Sequence, residues 1–391
     1  MFTALSVTPP LHAADDANST PRLPTGARLD PAGRSFDVGN MPLAMQLSPA
    51  GDHCILSLNG WREQGIQVIE RATGRVVQTL KQPAAFLGLA FSPDGHTLYA
   101  SGGNEDAVYR YSWRDGRATL VDQIALAQKE PKKDGTRYPA GLAMSRDGQQ
   151  LYVAENLADM LAVVDVASKR IVQRLKTDHY PYNVAVAVDG RIYVSAWGSN
   201  SVSVFTAQAG TLADAGKITV GRHPSALALN ADGSRLFVAS ASSDRVIVVD
   251  TTKRRVVKEL LDSPPAGPRE GSTPDALALS ADGGRLFVAE ADNNAIAVFD
   301  LSSATAGVQT KRAQDHLAGR IPVGWYPTAL VASTNSLWVL NGKGRGTRAN
   351  PGEPHPGGRS DSSATSYVLG QLDGTVTELP MAMAAAELER L

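Results

Sequence analysis

Ten residues stand out as able to bind something: Arg137, Tyr138, His179, Tyr180, Trp197, Arg222, His223, Trp325, Tyr326 and Lys343. Eight of them form four dipeptides that precede a proline at the start of an apolar run: Arg137-Tyr138, His179-Tyr180, Arg222-His223 and Trp325-Tyr326. Aromatic rings with guanidinium and imidazole groups suit a ligand or partner that is partly aromatic or anionic. The same types before proline also serve to pack one element on the next, so both uses stand open. His179 and His223 would supply two ligands to a divalent metal, but no third is evident, and no cofactor is expected.

No complete catalytic motif accompanies these residues. Lys343, in Asn341-GKGRG, lacks both the glycine spacing and the following Ser or Thr of a Walker loop. Glu155 and Glu290 hold equivalent places in distant parts of a repeat, which argues against a paired-carboxylate mechanism. The lone cysteine, Cys54, sits in an apolar run and excludes an intrachain disulfide. With 38 Lys+Arg against 39 Asp+Glu in 391 residues, the net charge of -1 offers no attraction to nucleic acid. No apolar run reaches the ~18 residues of a membrane-spanning helix.

What must position these residues is a repeat. Aligned on Asp-Gly, the chain shows Pro139-AGLAMSRDGQQLYVAE, Pro224-SALALNADGSRLFVAS and Pro274-DALALSADGGRLFVAE, with further copies opening at Pro42, Phe86, Pro181 and Pro327. Asp-Gly between two apolar runs signals a hairpin, because such residues accept the positive φ of a tight turn. Third and fourth strands follow, as in Met160-LAVVDV and Arg170-IVQRL. Four antiparallel strands per copy and seven copies predict an all-β fold, a seven-bladed β-propeller. Small residues two and four places past each opening position, such as Gly141 and Ala143, let the innermost strands crowd the axis. The intervening Leu142, Leu227, Leu229, Leu277 and Leu279 are expected to fill the space between blades.

The propeller is expected over residues 31–383, with a tail at 384–391. Residues 1–30 read as a disordered leader or a cut-down signal peptide, since Leu11-His12-Ala13 before Ala14-Asp15 resembles a cleavage site without a basic start. That reading places the protein in the periplasm or outside the cell; without a signal it would be cytoplasmic. The last copy offers Tyr367-VLGQL and Thr375-VTEL, and Arg34-SFDV has no blade of its own. That segment is expected to pair into blade 7 and latch the ring, unless a C-terminal strand completes the blade. In a four-stranded blade, the segment entering strand one and the loop joining strands two and three share one end. That rim collects the ten residues above and, from the second loop, Glu155, Asn156, Asp244, Glu290, Asp292 and Asn341.

The copies resemble the YVTN-type propeller repeat, here Leu151-YVAEN, Ile192-YVSAW and Leu236-FVASAS. Val323-GWYPTAL and Asn341-GKGRGTRANP resemble the closing blade of the propeller preceding an alkaline-phosphatase-like phosphoesterase domain in bacterial exported proteins. This chain ends at Glu387-LERL, so the resemblance implies a binding or scaffold role and leaves metal and nucleophile outside it. Three functions follow as expectations. The first is a non-catalytic module binding a small anionic or aromatic ligand, a glycan or a partner domain. The second is a hydrolase of lactonase type working at the propeller mouth, and the third a haem- or quinone-associated oxidoreductase.

Overall fold

The computed structural model describes residues 23, 28–130, 133–208, 211–264, 271–301, 314–346, 368–381 and 388. Among them are 28 strands in seven four-stranded antiparallel sheets, each sheet one blade of a ring. The innermost strands of blades 1 to 7 are Pro42–Leu47, Leu89–Phe91, Pro139–Met144, Pro181–Val186, Pro224–Leu229, Pro274–Leu279 and Trp325–Ala332. All seven expected copies are therefore blades.

In blades 2, 3, 5 and 6 the turn after the inner strand works by a division of labour. Glycine alone takes the left-handed backbone, at Gly95, Gly148, Gly233 and Gly283, with φ of 74°, 72°, 72° and 70°. The aspartate before it keeps an ordinary φ, and its carboxylate accepts from the backbone N–H two residues on, as Asp94 does from His96 at 3.0 Å and Asp147 from Gln149 at 3.0 Å. The pair thus marks a turn because one residue bends the chain and the other caps it.

Seven hydrophobic clusters occupy the seven spaces between adjacent blades. The two rows on the inner strands divide between them: Leu142, Leu227 and Leu277 face the preceding blade, Ala143, Ala228 and Ala276 the following one. Small residues are required on that second side. A Cβ at Gly141 would meet the Tyr182 carbonyl oxygen at 2.6 Å, and one at Gly88 the Ala140 carbonyl oxygen at 2.1 Å. Cys54 lies in the cluster between blades 7 and 1, where burial pushes its thiol up to about 12.

The ring closes through the N-terminal strand. Arg34–Asn40 pairs antiparallel with Asp373–Pro380, Phe36 opposite Val376, and becomes the outer strand of blade 7. Val368–Gln371, expected as a strand, is a 3-10 turn instead. A blade shared between the two parts of the chain leaves no gap at which the ring can open.

Candidate functional site

Both expected loop sets meet at one end of the ring. The Asn156, Trp197, Ala241 and Ala291 amides donate to the Tyr138, Tyr180, His223 and Thr273 carbonyls at 3.1, 2.8, 3.1 and 3.1 Å. The residue before each blade-opening proline is left-handed: Met41, Tyr138, Tyr180, His223, Thr273 and Tyr326 have φ of 46° to 62°. Such a backbone costs about 1–3 kcal/mol in a residue with a side chain, so something must hold it. In four cases the holder is an Asp or Asn before strand three of the preceding blade. Asp106, Asp159, Asp244 and Asn294 accept from the Tyr138, Tyr180, Thr273 and Tyr326 amides at 2.9, 2.9, 3.1 and 3.0 Å.

The ten candidate residues all lie at this end, in separate groups. His179 stacks on Tyr180, with ring centroids 3.9 Å apart, and its Nδ1 is 2.9 Å from the Asp159 carboxylate. Trp197, 43% exposed, stacks on His223 at 4.8 Å, while Arg222 donates to the Ser242 carbonyl at 3.0 Å. Tyr138 meets Phe86 edge-on at 5.2 Å, and Arg137 Nη1 stands 3.6 Å from Glu155. Lys343 Nζ sits over Tyr326 at 3.8 Å and Trp325 at 5.5 Å, and burial depresses its pKa. Among the described residues no three His, Cys, Asp or Glu side chains converge as a metal site would require.

Four residues expected on the rim are not available there. Glu155, Asp244, Glu290 and Asn341 are buried. Glu155 is held by Arg174 at 2.9 Å and Glu290 by Arg320 at 2.8 Å, while Asn341 donates to Thr375 and Thr377. The Gly-rich segment lies outside the described residues from 347 to 367.

A deeper pair escaped the sequence reading. In six blades the pairing of strands one and two slips just after the opening proline, a β-bulge. A bulge re-aims the side chain it carries. Leu43, Tyr182, Asp275 and Thr328 follow those prolines and, with Leu87 of blade 2, line an axial cavity of about 270 Å³. Asp275 Oδ1 is buried without a hydrogen-bond partner among the described residues. Burial, then the Asp292 carboxylate, raises the Asp275 pKa far above the usual carboxylate range. Tyr182 is raised by burial and then by Asp275; Tyr326 is pushed up to about 12 by burial, Asp275 and Asp292. The same burial favours the neutral, proton-bearing form of each of the three. The available signal was positional: where other copies carry Leu, Ala, Ser or Thr after the opening residue, two carry Tyr182 and Asp275.

Fold and channel together define a seven-bladed β-propeller with a partly polar axial mouth. The family model described as SMP-30/Gluconolactonase/LRE-like region matches residues 124–242, which span blades 3 and 4 and the inner half of blade 5. Among solved structures, hydrazine synthase of Kuenenia stuttgartiensis is similar at 17% identity, covering 78% of this chain and 94% of that one, with a TM-score of 0.62. The periplasmic gluconolactonase of Pseudomonas aeruginosa is 20% identical over 73% of this chain and 86% of its own, with a TM-score of 0.59. Virginiamycin B lyase of Staphylococcus aureus, crystallised with quinupristin, is 13% identical over 88% and 99%, with a TM-score of 0.59. At these identities the likeness concerns the fold. No curated protein matches the sequence.

Proposed function

We propose that the protein binds a small ligand at the axial mouth, above Leu43, Leu87, Tyr182 and Asp275. The carrying observation is the Asp275 carboxyl, whose Oδ1 is buried beside a cavity with no hydrogen-bond partner among the described residues. Leaving such a group unsatisfied costs about 1–3 kcal/mol, a cost that a ligand's hydrogen bond would relieve. Thermal shift against neutral sugars, sugar acids and aromatic acids tests the reading. Ligands that stabilise the wild type should lose their effect on the Tyr182→Phe, Asp275→Ala double variant. A double variant that is folded and still responds equally would refute it, and would return attention to the outer groups around His179, Arg222, His223 and Trp325.

A second reading, lactone hydrolysis, is favoured by the family match over residues 124–242. Protonated Asp275 could donate to a carbonyl oxygen as its charge develops. Turnover of D-glucono-1,5-lactone by the purified protein, with and without divalent cations, separates catalysis from binding. An exported location is supported by the cleavage-like Leu11-His12-Ala13, and a phosphoesterase partner domain by the resemblance of the closing blade alone.

A further inference from the structure

We propose that Lys343 is a reactive amine on the rim, placed to capture an uncharged aldehyde with an aromatic or apolar body as an imine. This does not rest on the ligand-binding reading above, because neither Tyr182 nor Asp275 takes part. Lys343 stands near the end of Ser336–Gly344 in blade 7 and is half-buried, so its side chain stays within reach. Its Nζ lies over the Tyr326 ring at 3.8 Å and the Trp325 ring at 5.5 Å. The strand end that carries it is anchored two residues earlier, where buried Asn341 donates to the Thr375 and Thr377 hydroxyls at 3.2 and 3.1 Å.

Other lysines of the chain settle against oxygen. Lys169 and Lys217 reach the Asp122 and Asp178 carboxylates at 2.6 and 2.8 Å, and Lys258 donates to the Asp315 carbonyl at 2.7 Å. Lys343 leans on two rings instead. The carboxylate that acts on it, Asp292 of blade 6, already accepts from the Thr273 hydroxyl at 2.6 Å. An aromatic face attracts an ammonium but gives it no hydrogen-bond acceptor, while burial favours the neutral amine. Burial accordingly lowers the Lys343 pKa, with Asp292 opposing. A desolvated lysine is the form that attacks a carbonyl carbon. The nitrogen lone pair forms the C–N bond as the carbonyl pair moves to oxygen; that oxygen then leaves as water with both amine protons, and a C=N bond remains. The rings offer a flat apolar wall to the body of the aldehyde, and Asp292 disfavours an anionic one.

The test treats the full chain with benzaldehyde or 4-carboxybenzaldehyde in the presence of sodium cyanoborohydride, which fixes each imine as a secondary amine, and maps the labelled lysines by peptide mass spectrometry. At about pH 7, benzaldehyde should label Lys343 about tenfold faster than exposed Lys176, and the anionic aldehyde should lose that preference. The titratable groups facing Lys343 are Asp292 from blade 6 and Tyr326 from the neighbouring strand. Its labelling should therefore reach a plateau below the ordinary lysine value of about 10.4, and Asp292→Asn should speed it at neutral pH by removing the charge that holds the proton on. Lys343→Met should lose the adduct. Labelling of Lys343 no faster than of Lys176, a pH profile matching that of Lys176, or slower labelling in folded Asp292→Asn would each overturn the inference. Fast labelling in a wild type that no ligand of the thermal-shift screen stabilises would sink the binding reading alone, and unchanged labelling of the Tyr182→Phe, Asp275→Ala double variant would confirm that the two are separate.

Discussion

Blades 3 and 6 carry the same buried lock in different surroundings. In each, a glutamate ending strand two is gripped by an arginine on strand four, Glu155 by Arg174 and Glu290 by Arg320. Each arginine also reaches the end of the preceding blade, donating to the Leu126 or Ser263 carbonyl at 2.6 Å. Around blade 3 the neighbours are apolar: Leu126 closes the lock and Ala140 follows the opening proline, both buried. At the matching places around blade 6 stand Asp262 and Asp275. Among the described residues both Asp262 oxygens are buried without a hydrogen bond, with Arg320 Nη2 4.0 Å from Oδ1, and its pKa is raised well up, first by burial and then by Glu290. The lock itself is a packing device; the added acids are buried carboxyls that blade 3 lacks at the matching places.

The sharpest way to break this comparison is to remove the arginines. Arg320→Met would leave Glu290 and Asp262 facing each other and should cost about 3–5 kcal/mol in urea unfolding. Arg174→Met should cost less, because Arg137 remains 3.6 Å from Glu155. Equal losses would mean that Asp262 does not couple to the lock. Next in size is Ala140→Asp, which puts a blade 6 acid into blade 3. With Ala140 fully buried among blades 3 and 4, a loss of about 3 kcal/mol is expected, and no gain in ligand binding.

The converse change, Asp262→Leu, makes blade 6 like blade 3. It should raise stability by about 1–2 kcal/mol at neutral pH and reduce the pH dependence. The sign follows from proton binding. Asp262 and Asp275 have raised folded-state pKa values, so above the unfolded carboxyl pKa of about 3.9 the folded chain holds more protons than the unfolded one. Their contribution is complete below that value and declines as pH rises, by about 1.4 kcal/mol per unit and group, until the folded groups ionise. Unfolding curves across that window should be flatter in Asp262→Leu. The smallest effect belongs to Lys343→Met, which removes a half-buried cation from Tyr326 and Trp325 and should cost about 0.5–1 kcal/mol, read as a slight drop in melting temperature.

Much of this was open to sequence reading. The seven copies were legible because hairpin turns, alternating strands and their spacing are local matters, and the latch by Arg34-SFDV followed from an unpaired strand. The rim residues were found at the expected end, but their partners were not foreseen. Trp197 meets His223, and Lys343 meets Tyr326, through contacts between distant stretches of chain. Glu155 and Glu290 were placed on the rim because their arginines lie 19 and 30 residues further on, a distance no motif marks.

The order of residues thus determined the blade, its turns and the number of blades, since these depend on neighbours along the chain. Only the closed ring decided which acids lost their water. Whether Asp275 and Asp262 are solvated depends on what the other blades bring across the axis and into the gaps, and burial of that kind is a property of the assembled molecule.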